Sequence, residues 1–288
     1  MEYNSYEIAD IIGVNVSTIK RWTNTGKLSC FQSIGGHRKF HLSHITDFLK
    51  KNNNIYTDID LTHLVGKNSR LINAINNYEF DYLIQYSYKN LISGDKTSFL
   101  SLNNSLILKG YSSYLLFDKM ILPILIQIGE EWSKGKLSIT EEHLASEIIR
   151  KYLSNLNYQH FPSKTTYNAF CFTLINDKHD IPLHMAESIM NQFNKIKTFN
   201  LGSSLPITDF IKLSEKIHPD IIYISIIYIE KMKVFNREIK TLCNNFIKSN
   251  TKIYFSGTGT DKIITNHNNF LKINSYESLD LEISKHFK

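Results

Sequence analysis

Hydrophobic positions along the chain change their spacing twice, and the changes divide it into three stretches. In the first, residues 1 to about 51, the apolar runs are short. Ser5–Ile12 reads as a brief amphipathic helix, broken at Gly13-Val14-Asn15. Asn15 is placed to cap a second helix, from Val16 to about Thr25, by accepting a hydrogen bond from an otherwise unpaired backbone N–H, and Gly26 to end it. Val16, Ile19 and Trp22 share one face of that helix; Ser17, Thr18 and Arg21 share another, with Lys20 beside them. Gly35-Gly36 offers the positive φ angles of a tight hairpin, and Ser43 a cap for a third helix that buries Ile45, Phe48 and Leu49.

The second stretch opens with a polar link, Lys51-Asn52-Asn53-Asn54, and a loosely helical run from Leu61 to Ile75; residues 52–77 read as a linker. Four helical runs follow, about Glu79–Ser93, Asp95–Lys109, Ser112–Trp132 and Thr140–Asn157, separated by links that carry Gly94, Gly110 and Gly135. Links that short favour antiparallel neighbours, so residues 78–160 are expected to form a four-helix bundle, with Pro123 kinking its third helix. In the third stretch, residues 164–288, strand-like runs (Asn168–Ile175, Ile196–Asn200, Ile221–Ile227, Lys252–Phe255, Phe270–Ile273) alternate with helical ones (Leu183–Asn194, Ile207–Ile217, Glu230–Lys248, Ser275–Phe287). That alternation predicts a parallel sheet with helices on both faces, which binds ligands at the carboxyl ends of its strands.

Composition changes this picture little. With 288 residues the chain is long enough for two or three cores, and a net charge of +6 is compatible with a nucleic-acid partner without requiring one. Cys30, Cys171 and Cys243 are odd in number and far apart, so neither a disulfide framework nor a thiolate zinc site is supported. No apolar run approaches the roughly 20 residues of a membrane span, and the N-terminus carries no apolar signal region, which points to the cytoplasm. No nucleophile–base pair and no phosphate loop stands out; Ser256-Gly257-Thr258-Gly259 is too short to be one, so no enzymatic activity is expected.

Two short helices joined by a tight turn, the second presenting hydroxyls and a guanidinium, suit a major groove, and His37, Arg38 and Lys39 would ride on the hairpin as a basic wing beside the phosphates. Ile8-Ala9-Asp10, Val14, Ser17 to Trp22, Gly26-Lys27-Leu28 and Gly35 to Phe40 together resemble the winged helix-turn-helix of MerR-type regulators along the whole segment. The resemblance implies contacts to double-stranded operator DNA from Ser17, Thr18, Lys20, Arg21, His37, Arg38 and Lys39.

Two further constellations carry candidate chemistry. Trp132 ends one helix, and Glu142 and His143 lie in the first turn of the next. A first-turn Glu commonly serves the helix dipole, and a lone His there is commonly solvated; the three together resemble the cap bundle of adenosylcobalamin-dependent photoreceptor regulators of the CarH and LitR type. At the end of the first strand of the third stretch, Asp177 and His179 could form a pair in which a carboxylate fixes an imidazole while its other nitrogen ligates a metal. They match the Asp-x-His-x-x-Gly pattern of cobalamin-binding Rossmann-like (flavodoxin-like) domains, with Pro182 where that pattern has Gly. Ser225 with Ile227 resembles the Ser-x-Leu segment of that family, and Ser256-Gly257 stands where a Gly-Gly pair is usual. The resemblance implies that His179 is the lower cobalt ligand, that Trp132 and Glu142 lie against the adenosyl group, that His143 takes the upper cobalt position after light cleaves the cobalt–carbon bond, and that Ser225, Ser256 and Gly257 line the nucleotide tail.

The reading that results is a multidomain repressor: a winged helix-turn-helix (1–51), a linker (52–77), a four-helix cap bundle (78–160) and a Rossmann-like cobalamin domain (164–288). It would bind adenosylcobalamin and operator DNA, and assemble with itself as a dimer or tetramer under the control of light. Two alternatives stay open. One is a cobalamin-independent regulator whose last domain serves oligomerisation or binds an anti-repressor protein. The other is a corrinoid carrier of a methyltransferase.

Overall fold

The computed structural model describes residues 2–52, 59–158, 166–264 and 267–287. Asn53 and Asn54 of the expected link, and the expected boundary near 160–164, lie outside the described residues. The chain forms two compact units, Met1–Ile148 and Ile149–Lys288.

The first unit begins with β1 (Tyr3–Asn4), α1 (Ser5–Ile12), α2 (Val16–Asn24), β2 (Phe31–Gln32), β3 (Arg38–Phe40) and α3 (Leu42–Lys51). Capping starts both leading helices. Asn4 Oδ1 accepts from the N–H groups of Tyr6 and Glu7 while Glu7 accepts from Asn4 N–H, and Asn15 Oδ1 accepts from Ser17 N–H at 2.9 Å. Gly13, at φ 73°, turns the chain between them. Ile8, Ile19, Trp22, Phe40, Ile45 and Phe48 close a small core, with Trp22 and Phe48 ring centroids 4.6 Å apart. The hairpin differs from expectation in that only Gly36 has positive φ, because Ser33 N–H bonds to His37 carbonyl and the loop spans Ser33 to His37 rather than two residues. The third helix is capped by His41 and not by Ser43: Leu42 is buried as its first residue, and His44 Nδ1 accepts from His41 N–H at 3.3 Å.

Residues 52–77, expected as a linker, carry α4 (Thr62–Val65) and α5 (Ser69–Asn76). Leu71, Ala74 and Ile75 recur at helical spacing and are fully buried, which is why this run folds. Asp60 N–H bonds to Ile11 carbonyl, and Asn104 donates to Tyr3 Oη at 3.2 Å, so the winged segment is packed into this unit. The longer helices follow: α6 (Phe80–Ile92), α7 (Lys96–Leu108), α8 (Ser113–Leu116), a π-helical turn (Phe117–Ile121), α9 (Leu122–Ser133) and α10 (Ile139–Tyr158), the last of which runs into the second unit. The π turn is the chain's answer to Pro123. A proline ring crowds the carbonyl four residues back, and here Leu122 N–H bonds five residues back, to Phe117 carbonyl.

The second unit is a five-stranded parallel sheet in the order β5-β4-β6-β7-β8: β4 (Tyr167–Leu174), β5 (Ile196–Leu205), β6 (Ile221–Ser225), β7 (Lys252–Ser256) and β8 (Phe270–Ile273). Its helices are α11 (Ile181–Met190), α12 (Ile207–Ser214), α13 (Met232–Phe246) and α14 (Tyr276–His286). Phe170, Phe172, Ile222, Ile224, Ile253 and Phe255 pack against Phe210, Phe235 and Leu242 of α12 and α13. The order reverses between β4 and β6, and this switch point opens the crevice in which such sheets take ligands. β6 stops at Ser225 rather than Ile227, because the N–H groups of Ile227 and Tyr228 leave the ladder to bond with Asp177. β5 runs on to Leu205 through register shifts, with Gly202 at φ 77° and Ser204 at φ 61°.

Candidate functional site

On α2, Ser17, Lys20 and Arg21 are exposed and Thr18 is half-buried, while Ile19 and Trp22 on the opposite side are core. Ser17 Oγ donates to the capping oxygen of Asn15 at 2.9 Å. His37 is exposed on the wing, and Arg38 and Lys39 are half-buried. Arg38 Nη2 donates to Asn24 Oδ1 at 2.7 Å, so the wing is tied to the end of α2. The sequence singled out Arg38 as a wing cation but carried no sign of this tie to Asn24.

At the α9–α10 corner the structure separates roles that the sequence ran together. Ser138 and Glu141 form the cap of α10, with Ser138 N–H bonded to Glu141 at 2.8 Å and Glu141 N–H to Ser138 Oγ at 3.2 Å. The same bonds from Ser138 hold the Glu141 carboxyl below its usual range. Glu142 is thereby released from capping: one oxygen pairs with His143 Nδ1 at 2.5 Å and the other accepts from Ser146 Oγ at 2.7 Å. The Glu142 side chain is 27% exposed and that of His143 70%, an exposed imidazole held on a half-buried carboxylate. Trp132 is 49% exposed at the end of α9, and its side chain makes no ring contact or hydrogen bond with Glu142 or His143 among the described residues. The three sit at one corner, but the structure brings only Glu142 and His143 together.

The loop after β4 is organised by Asp177. Its side chain is 1% exposed, because the carboxylate turns inward to the carboxyl end of β6. Oδ2 accepts from Ile227 N–H at 2.7 Å and Tyr228 N–H at 3.0 Å; Oδ1 faces His179 Nδ1 at 2.7 Å and accepts from His179 N–H at 3.1 Å. Burial alone would push this carboxyl up, but the His179, Tyr228 and Ile227 hydrogen bonds outweigh it and hold the group below the usual carboxylate range. The loop is clamped further by Thr173 Oγ1 and Ser204 N–H, which donate to Asp177 carbonyl, and by Asn176, at φ 69°, whose N–H meets Ser204 Oγ. With Nδ1 committed to Asp177, metal coordination by the exposed His179 ring falls to Nε2. No cluster of three or more His, Cys, Asp or Glu able to hold a metal occurs among the described residues, so such a metal must bring its other ligands with it.

Pro182 sits in the first turn of α11, where its missing N–H strands nothing, and its carbonyl accepts from Tyr276 Oη at 3.2 Å. Ser225 and Ser256 are register partners on β6 and β7. Gly257 has φ 95°, and a Cβ there would stand 2.4 Å from Ile226 carbonyl oxygen, so glycine is required for backbone to lie on backbone. Three residues escaped the sequence reading. Arg150 of α10 forms a two-point ion pair with Asp180, its Nε 3.0 Å from Oδ2 and its Nη2 2.9 Å from Oδ1, anchoring the residue next to His179. The buried Tyr254 is the third. Arg150 and Asp180 lie 30 residues apart, and no local spacing signals their meeting.

Comparison with known proteins follows these parts. A family model described as a helix-turn-helix domain matches residues 3–53, and one described as a B12 binding domain matches residues 87–157, which spans Trp132, Glu142 and His143. The chain therefore resembles a DNA-reading segment joined to a B12 binding segment. The HTH-type transcriptional repressor CarH of Myxococcus xanthus is similar over 110 residues at 24% identity. That match spans 38% of this chain and 36% of the relative's length. Among solved structures, the monomethylamine corrinoid protein of Methanosarcina barkeri superposes with a TM-score of 0.55 at 12% identity, covering 69% of this chain and 95% of that one, a likeness of fold. No helix among the described residues is long and apolar enough to cross a membrane.

Proposed function

We propose that the protein is a DNA-binding transcriptional regulator, a repressor in the cytoplasm without enzymatic activity of its own, whose C-terminal half binds a cobalamin. The observation that carries this is the Asp177–His179 pair at the switch point of the parallel sheet, in a chain that begins with a winged helix-turn-helix. A single imidazole holds a metal when a macrocycle supplies the remaining ligands, and the buried carboxylate orients the ring and raises its basicity. The surroundings fit such a group: Gly257 lets backbone approach closely, and the hydroxyl of Ser225 is buried without a hydrogen-bond partner.

The finer reading takes adenosylcobalamin as the cofactor and light as the signal, which rests on Trp132 and the Glu142–His143 pair in the segment matched by the B12 binding model. That cofactor supplies a cobalt–carbon bond that visible light cleaves. The chain's part is to keep water off the upper face with Trp132 and Glu142, with His143 at hand as a replacement ligand, within the four-helix bundle formed by α6 to α10. One winged helix-turn-helix binds its operator weakly, so a switch between monomer and dimer or tetramer governs occupancy through effective concentration. Ser17, Thr18, Lys20, Arg21, His37, Arg38 and Lys39 supply the DNA contacts, phosphate contacts setting affinity and α2 the base readout.

The test is an absorption titration of the full chain with adenosylcobalamin in the dark, repeated after illumination. The reading expects a bound corrinoid whose spectrum His179→Ala alters, and a light-dependent change of mass by light scattering. A protein that stays colourless would favour a regulator that works without cobalamin, the reading motivated by Pro182 and Ser256. The fold likeness to a corrinoid protein keeps a carrier role in view, but that role leaves residues 3–53 unused.

A further inference from the structure

The sheet of the second unit has a second face, turned away from its Phe- and Ile-rich core. Side chains alternate along a strand, so Cys171, Thr173, Tyr223, Ser225, Tyr254 and Ser256 look toward α11 and α14. The register sets Tyr223 beside Tyr254 and Ser225 beside Ser256. Ser225 and Tyr254 are both 0% exposed, and Ser225 Oγ and Tyr254 Oη have no hydrogen-bond partner. Burial first, and Glu282 of α14 second, push the Tyr254 hydroxyl up, so it stays protonated and a donor.

An alanine and a phenylalanine would fill these places without stranding a polar atom, and stranded hydroxyls are rare in native interiors because water is given up for nothing. Two of them share this face. Their Cα atoms lie about 8 Å apart by strand geometry, one nearer the carboxyl rim and one deeper. That spacing suits an elongated group, rich in acceptors, that enters between sheet and helices from the rim. The mouth is closed by Tyr276 Oη on Pro182 carbonyl, which ties α14 to α11, so entry separates those helices.

Building on the cobalamin reading, we propose that Tyr254, with Ser225, is the specificity-determining contact for the ribose-phosphate tail of the corrinoid, the part a tail-less cobinamide lacks. The experiment titrates the full-length native chain, Tyr254→Phe and Ser225→Ala with hydroxocobalamin and with dicyanocobinamide, followed by visible absorption, alongside melting of each protein without ligand. Tyr254→Phe is expected to weaken cobalamin about tenfold, the worth of one lost hydrogen bond, and to leave cobinamide within about twofold. Without ligand its melting temperature should be unchanged or higher, and Ser225→Ala should follow the same pattern. Equal cobalamin affinity in the native chain and both variants overturns the proposal and assigns the hydroxyls to a buried water. Equal weakening toward both corrinoids overturns it as a general packing effect. A native chain that binds cobinamide but not cobalamin overturns it while leaving corrinoid binding intact, and one that binds neither overturns the cobalamin reading and this inference with it.

Discussion

Asp177→Asn tests the centre of the site with almost no change of shape. The carboxylate receives three backbone N–H groups and faces one ring nitrogen at 1% exposure. An amide has one accepting oxygen. If that oxygen keeps Ile227 and Tyr228, the amide nitrogen faces His179, whose own N–H is stranded and whose Nδ1 must turn from donor to acceptor. The proton then sits on Nε2, the nitrogen required for cobalt. Losing one charge-assisted bond and stranding one buried donor costs about 2–4 kcal/mol, a large part of an ordinary domain's stability. Urea denaturation of the full chain by far-UV circular dichroism should show this loss, and hydrogen exchange at the Ile227 and Tyr228 amides should quicken. The spectrum with hydroxocobalamin should lose the His-bound form. The pH dependence follows in sign. A carboxyl held low in the fold contributes fully above its unfolded pKa, about 3.9, and loses the contribution as pH falls through its lower folded value. The gap between native and variant should therefore be constant near neutrality and close only below about pH 4. A variant within about 0.5 kcal/mol of the native chain at pH 7, with the cobalamin spectrum unchanged, would refute the reasoning.

Three further outcomes are expected. Arg150→Lys keeps the charge but loses the two-point geometry on Asp180, and should cost about 1 kcal/mol in denaturation because the pair is only partly buried. Gly257→Ala meets both a positive φ and the Ile226 carbonyl, so it should cost at least about 1–2 kcal/mol and shift backbone resonances of Ile226. Trp22→Ala removes a buried ring stacked on Phe48 and should lose about 3–5 kcal/mol, abolishing operator binding through unfolding, whereas Arg21→Ala should leave the melting temperature alone and lower the salt slope of DNA binding by about 1.

Much of the architecture is local physics and could be read directly. Helix periodicity, capping by Asn15 and the strand–helix alternation after Tyr167 each depend on residues within a turn or a strand of one another, and the helices and strands fell close to the expected spans. The misreadings were local too. Ser43 looked like a cap until burial of Leu42 started the helix one residue earlier, and Pro123 was absorbed by a π turn rather than a kink. Glu141 and Glu142 looked alike in sequence; only the Ser138 capping bonds show that Glu141 is spent on the helix and Glu142 is left for His143.

By itself, then, the sequence determined the order of elements, the presence of the Asp177–Lys178–His179 loop at the end of the first strand, and the resemblance that names a corrinoid. Tertiary structure decided what depends on distant partners. It brought Ile227 and Tyr228 N–H groups 50 residues along the chain to Asp177, Arg150 to Asp180, and Tyr254 to a buried face where its hydroxyl finds no partner. The reason is physical: a carboxylate at 1% exposure is held in its charged form only by donors supplied from another strand, and no spacing along the chain records which strand will lie beside it.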